Sequence, residues 1–197
     1  MEAKQEMGGS LSDDELTIIF VLGGPGSGKG TQCKMIAHKY DEFCHLSVGD
    51  LLRLEQESGS EHGTMIKNCI KAAKLAPSDI VVDLIILKAM KRSGKKKFLI
   101  DGFPRSEENR AASCSACPLE PKFVLYLSCS QEVMVERILH RNQGREDDNI
   151  EAMKKRLEVY ETSSLPVIEY YRSLGMLVEI NSAPSAEEVF KEVTQLF

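Results

Sequence analysis

The chain has 197 residues, a length that suits one domain, or one domain with small mobile inserts, and that buries an ordinary core without disulfides or metals. Its 25 basic and 30 acidic residues leave a net charge of −5, which disfavours a nucleic-acid binder, because those carry a broadly basic surface. No apolar run reaches the ~18 residues that a membrane-spanning helix needs, so no membrane partner is expected.

From Met1 to Glu15 the chain is acidic and polar, unlike a signal or transit peptide, and residues 1–16 are expected to form a disordered tail. Thr17-Ile18-Ile19-Phe20-Val21-Leu22 is a continuous β-branched and aromatic run, suited to a strand buried on both faces. A glycine-rich stretch follows at once and leads into a helix beginning near Lys29. From Arg53 to about Met90 the character is helical almost throughout, longer than a simple crossover requires, and Ser78-Asp79 signals a helix start ahead of the apolar run Ile80–Met90. Apolar runs at Lys97–Ile100, Phe123–Leu127 and Met176–Ile180 predict further strands. Residues 141–148 form a short, polar, charged loop between two helices; this loop and the long helical stretch are candidate mobile flaps. Pro166 marks a position near the start of another helix, and Ser185 with Glu188 spells a capping box for the last one. Strands separated by helices predict an α/β fold with a doubly wound parallel sheet.

The six cysteines, Cys33, Cys44, Cys69, Cys114, Cys117 and Cys129, are scattered and suit a reducing, cytoplasmic compartment as free thiols. Cys114 and Cys117 form a lone CxxC with no second pair, so a surface loop is expected rather than a zinc or redox centre.

The densest chemical signal is Gly23-Gly24-Pro25-Gly26-Ser27-Gly28-Lys29-Gly30-Thr31. Glycines let the backbone curl round an anion with several N–H groups pointing inward. The helix N-terminus behind them adds the positive end of its dipole, and Lys29 adds a full charge for the β- and γ-phosphates of a nucleotide. The general phosphate-loop pattern has Ser or Thr directly after the lysine, whereas Gly30 stands there and Thr31 follows.

This Lys-Gly-Thr spelling resembles the adenylate kinase superfamily of nucleoside monophosphate kinases, and the resemblance runs from Thr17 to Phe197. His45-Leu46-Ser47-Val48-Gly49-Asp50-Leu51-Leu52-Arg53 is similar to the family's first element for the acceptor nucleotide. Phe98-Leu99-Ile100-Asp101-Gly102-Phe103-Pro104-Arg105 is similar to its most specific signature. Gly144-Arg145-Glu146-Asp147-Asp148-Asn149 and Lys155-Arg156-Leu157 resemble the lid and the helix after it. The implied architecture is a five-stranded parallel sheet with a phosphate loop, a helical acceptor-binding insert at about residues 47–76, and a short lid at about 141–149, all within a kinase domain of residues 17–197.

Phosphoryl transfer asks little covalent work of a protein; it needs alignment and charge neutralisation. Guanidinium groups suit this, since they stay charged and grip phosphate oxygens in a bidentate fork. The resemblance implies that Gly24, Pro25, Gly26, Ser27, Gly28, Lys29, Gly30 and Thr31 bind ATP, with Arg137 stacked on its adenine. It implies that Arg53 and Arg105 hold the acceptor's α-phosphate, and that Lys29, Arg105, Arg141, Arg145 and Arg156 surround the transferring group. Ser47, Ala73, Ala76, Gly102 and Asn109, with Arg145 and Arg156, complete the implied acceptor contacts. Asp101 is implied to organise Mg²⁺ through water; a strand-end aspartate that caps the following turn is the alternative. Asp147 and Asp148 are implied to pair with arginines as the lid closes, with a solvated turn the alternative.

Asn109 occupies the place where AMP-accepting relatives have glutamine, and with Val48 it resembles the UMP-CMP kinase branch. A short amide suits a single ring, and its carbonyl and NH₂ can serve both uracil and cytosine. The expected acceptors are therefore UMP, CMP and dCMP, with AMP as the alternative. Three spellings depart from the pattern: Ser106 replaces an asparagine, Lys71-Ala72-Ala73-Lys74-Leu75-Ala76-Pro77 replaces a Gly-Lys-Leu/Ile-Val-Pro run, and the lid between Arg141 and Arg145 is shorter by about two residues. A non-catalytic nucleotide-binding regulatory protein is the alternative from another class. Small-molecule nucleotides are the expected partners, and a monomer the expected state.

Overall fold

A computed structural model of the protein describes residues 16–116, 119–140 and 149–197. The expected tail up to Glu15, the lid residues 141–148 and Cys117 lie outside the described residues.

Five strands, β1 (Thr17–Leu22), β2 (Phe43–Ser47), β3 (Lys97–Asp101), β4 (Phe123–Ser128) and β5 (Leu177–Asn181), form a parallel sheet in the order β2-β3-β1-β4-β5. β1 lies at the centre because its side chains are apolar on both faces. Ile18, Phe20 and Leu22 share one face with Phe98, Ile100, Val124 and Tyr126. Ile19 and Val21 share the other with Leu99, Leu125 and Leu127. The second face is covered by α1 (Lys29–Lys39) and α9 (Ala186–Val193), through Cys33, Ile36, Val189 and Val193.

The first face carries the remaining helical layer. It includes α2 (Val48–Glu57), α3 (Glu61–Lys71), α4 (Leu87–Ser93), α5 (Glu107–Ala116), α6 (Gln131–Leu139), α7 (Ile150–Val159) and α8 (Leu165–Ser173). Phe20 is fully buried there, edge-on to Phe103 at 5.7 Å and to Tyr171 at 6.2 Å between ring centroids.

Three elements differ from the sequence reading. β2 has no apolar run; its Phe-Cys-His-Leu-Ser spelling buries only Phe43 and Leu46, as suits a strand at the edge of the sheet. The apolar run from Ile80 opens as a π-helical segment, Ile80–Ile86, which continues into α4. Its wide turns let Ile80, Val81, Val82 and Ile86 all enter the core. Pro166 sits in the first turn of α8, but that helix does not start afresh. It continues from α7 through a second π-helical segment, Tyr160–Ser164, where the Leu165 N–H donates to the Tyr160 carbonyl. Proline lacks the N–H of an α-helical turn and crowds the carbonyl four residues back, and the wider turn accommodates both defects. The Ser185–Glu188 capping box at the start of α9 is present in both directions.

Candidate active site

The carboxyl end of β1 feeds a loop, residues 23–28, beside the point where successive strands leave β1 on opposite sides, the usual ligand crevice of an open parallel sheet. Gly26 has φ 84°, and a Cβ on it would lie 2.5 Å from the Met134 carbonyl oxygen, so only glycine lets the loop run this close to α6. Helices α2, α3, α6, α7 and α9 each begin with a Ser or Asn side chain accepting a backbone N–H. α1 instead begins at Gly28, with φ 89° and no side-chain cap. Its first N–H groups thus keep their donor capacity for an anion.

The Lys29 ammonium folds back over the loop, donating to the Gly23 carbonyl at 2.9 Å and the Gly24 carbonyl at 2.8 Å, with Ser27 Oγ at 3.5 Å. Burial is the main force on its proton and lowers its pKa from 10.5 to about 8. Asp101 opposes that fall, whereas the Arg105 and Arg156 guanidiniums add to it. One carboxylate and two guanidiniums thus lie within electrostatic reach of the loop lysine.

The loop opens on a cleft of about 470 Å³, ordinary for a small-molecule site. Of the residues expected from the sequence, Pro25, Gly26, Gly28, Lys29, Gly30, Thr31 and Arg137 line its donor side. Ser47, Arg53, Ala73, Ala76, Asp101, Gly102, Arg105, Asn109 and Arg156 line the rest. Gly24 and Ser27 are buried behind the loop and act on the cleft through Lys29. Arg141 and Arg145 lie outside the described residues, as do Asp147 and Asp148.

Arg53 and Arg105 converge. A Cβ built on Gly49 would stand 3.3 Å from Arg53 Nη1 and 3.7 Å from Arg105 Nη2, so both guanidiniums face the same bare backbone. Arg53 is steadied by Asp50 at 3.0 Å, and Arg105 by the Gly102 carbonyl at 2.7 Å. Ser164 Oγ donates to the Arg105 carbonyl at 3.0 Å, tying the signature loop to the segment ahead of α8. Arg137 donates to the carbonyls of Ser182 at 2.8 Å, Ala183 at 2.9 Å and Pro184 at 3.1 Å, which fixes its guanidinium against the turn after β5.

Asn109 is buried, and its amide is held at both ends: Oδ1 accepts from the Arg105 N–H at 3.1 Å, and Nδ2 donates to Ser78 Oγ at 2.8 Å. Ser106, one of the departures from the family spelling, accepts from the Asn109 N–H at 3.2 Å and so caps α5. Ala73 has φ 52°. Its N–H donates to the Ile70 carbonyl and the Lys74 N–H to the Cys69 carbonyl, the paired bonds of a Schellman ending to α3. Glycine is the usual residue at that left-handed position, so the alanine in this run carries backbone strain.

Three groups now seen near the site were not among the site residues expected from the sequence. His45 Nε2 lies 3.2 Å from Asp101 Oδ2, Cys33 stands close to both, and Ser78 holds Asn109. His45 and Asp101 are offset by two positions along adjacent strands, a relation that appears only once β2 and β3 are known to pair.

The sequence profile described as "Adenylate kinase" matches residues 21–176. The chain belongs to the adenylate kinase family. It is therefore a nucleoside monophosphate kinase. The kinase is similar to a protein named UMP-CMP kinase 3 from Arabidopsis thaliana, 57% identical, with 92% of this chain and 89% of the relative covered. It is 52% identical to the UMP-CMP kinase 3 of Oryza sativa subsp. japonica, over 95% of this chain and 88% of that one. With a Saccharomyces cerevisiae protein named uridylate kinase it shares 44% identity, over 93% and 92%. Among the described residues of the kinase no helix is long and apolar enough to cross a membrane.

Proposed function

We propose that this kinase moves the γ-phosphoryl group of ATP, as its Mg²⁺ complex, reversibly to UMP, CMP or dCMP, giving ADP and the nucleoside diphosphate. The observation that carries the reading is the convergence of Arg53 and Arg105 on one spot, in the same cleft as Lys29, Asp101 and Arg156. Two polyanions repel one another, and only a site with several fixed cations lets them meet in line. Arg53 and Arg105 take the acceptor's phosphate, while Arg156 and Lys29 face the group in flight. Arg141 and Arg145 would add to them from the lid at about residues 141–149, whose closure shuts out water. Lys29 exchanges the Gly23 and Gly24 carbonyls for phosphate oxygens, and the uncapped start of α1 supplies further N–H donors.

Mg²⁺ favours hard oxygen ligands, and it is held by one or two carboxylates together with substrate phosphates. Asp101 fits that part: it lines the cleft, and a Cβ on Gly30 would stand 3.4 Å from its Oδ2, so the missing side chain leaves space there. When bound, the ion neutralises charge on the phosphates. Asp101 would hold it through water.

The acceptor preference draws support from the names of the relatives and from Asn109. With one donor and one acceptor already used by Ser78 and Arg105, its amide retains one hydrogen and one lone pair, enough for either pyrimidine. Ser47, Ala73, Ala76 and Gly102 form the surrounding wall. The insert at about residues 47–76 carries most of that wall. Free Cys33, Cys44, Cys69 and Cys129 support a cytoplasmic setting, where the kinase would act as a monomer on small-molecule nucleotides.

The test is one panel of AMP, UMP, CMP, dCMP and GMP at a single ATP concentration. A pyrimidine monophosphate should lead AMP by at least about tenfold in kcat/KM. A lead for AMP would make the protein an adenylate kinase. Binding with no diphosphate product would make it a regulatory nucleotide binder.

A further inference from the structure

Cys33 on α1, His45 on β2 and Asp101 at the end of β3 bring a thiol, an imidazole and a carboxylate together, with their ligand atoms all within 4.8 Å of one another. Cys33 and Asp101 are buried, His45 Nε2 already lies 3.2 Å from Asp101 Oδ2, and His45 and Asp101 line the cleft. An ion bonded to N, O and S at ~2.0–2.3 Å in a tetrahedron separates its ligands by roughly 3.3–3.7 Å, so small side-chain rotations close this trio around it.

We propose that Cys33, His45 and Asp101 form a three-ligand site for a thiophilic divalent cation, Zn²⁺, and that its occupation stops the kinase by withdrawing Asp101 from the nucleotide phosphates. Sulfur and imidazole select zinc over magnesium, which prefers oxygen. Charge balances in a buried place: a thiolate, a carboxylate and a neutral imidazole cancel the two positive charges. Binding removes one proton, that of the Cys33 thiol, and involves no redox change. The ion would enter from the cleft, which His45 and Asp101 line. Lys29 lies close enough to Cys33 and Asp101 for their charges to couple. With the ion seated the site is neutral, so the Lys29 ammonium loses the attraction of the Asp101 carboxylate, which opposes both ATP binding and transfer. The inhibitory half rests on the kinase reading of the cleft; the binding half does not.

The purified full chain is titrated with Co²⁺ alone, as a spectroscopic stand-in for Zn²⁺. The expected result is one ion per chain, with tetrahedral d–d bands and a thiolate charge-transfer band. Cys33→Ala and Cys33→Ser should both lose the charge-transfer band and weaken binding by at least the 10- to 100-fold (roughly) that loss of an outer-shell partner alone brings. X-ray absorption of the wild-type one-equivalent Zn²⁺ complex should count one sulfur, a result that needs no variant to fold. A band that survives in both Cys33 variants, one that vanishes in Cys117→Ser instead, or a count of no sulfur or of two, overturns the site. In assays with excess Mg-ATP, one equivalent of Zn²⁺ should suppress wild-type turnover until a chelator is added. The Cys33→Ser variant should keep its basal activity and resist. Wild-type turnover unaffected by a bound equivalent overturns the inhibitory half, whereas the cobalt spectra stand even in a protein that transfers no phosphoryl group.

Discussion

The Lys29 ammonium donates to the Gly24 carbonyl at 2.8 Å, so the cation of the phosphate loop is held by the loop's own backbone. Its burial, with Arg105 and Arg156 nearby, brings its pKa down from 10.5 to about 8. In the free enzyme the ammonium is therefore complete below about pH 8 and lost above it. The profile of kcat/KM for ATP, which reports the free enzyme, should fall on its alkaline side from about pH 8. In the kcat profile the same limb should move to higher pH, because bound phosphates favour the charged form. A ¹⁵N titration of the Lys29 side chain checks the assignment directly. For stability the slope has the same sign as that of a carboxylate whose pKa is depressed by folding: between about 8 and 10.5 the unfolded chain holds more protons at this group, so its contribution to stability rises with pH across that window.

Lys29→Met and Arg105→Ala should each lower kcat/KM by about 10²-fold or more with the circular dichroism spectrum unchanged, as removal of a transition-state contact does. For Arg105→Ala, a loss under about fivefold in steady-state assays would mean that the acceptor phosphate sits elsewhere.

Ala73 takes φ 52° at the end of α3, a conformation that glycine adopts without strain. Ala73→Gly should therefore stabilise the fold by about 0.5–1 kcal/mol in urea denaturation, after the larger entropy loss of glycine is counted. A destabilised variant would indicate that the alanine methyl packs favourably against the cleft wall.

Asn109→Gln lengthens an amide that now bridges the Arg105 N–H and Ser78 Oγ. Competition assays with UMP and AMP should record a shift toward AMP. An unchanged ratio, with reduced stability, would make Asn109 a brace for the signature loop and not a reader of the base.

Contiguous features were legible in the sequence. β1 and the phosphate loop are one unbroken run of residues, and the Ser185–Glu188 capping box is a local pair. The sheet class followed from the alternation of strands and helices, but β2 did not, because an edge strand with only Phe43 and Leu46 buried has no apolar run to find. The π-helical segments at Ile80–Ile86 and Tyr160–Ser164 depart from the 3.6-residue period on which helix reading depends. At the site, the convergence of Arg53 with Arg105 was expected only through the family resemblance, since the two lie far apart in the chain. The contacts of His45 and Cys33 with Asp101 depend on strand order and on how α1 packs, and neither is written in any short stretch of residues. The left-handed backbone of Ala73 was signalled only by the glycine that the family's run carries at its place, because alanine itself rarely marks such a position.

The central claim is that two guanidiniums and one lysine draw an ATP and a pyrimidine monophosphate into line. A crystal structure with an adenosine–uridine oligophosphate bisubstrate analogue tests it most directly. The account expects Arg53 and Arg105 on the oxygens nearest the uridine, with Lys29 released from Gly23 and Gly24 onto the middle of the chain. Oxygens on the uridine side beyond the reach of both arginines would contradict it.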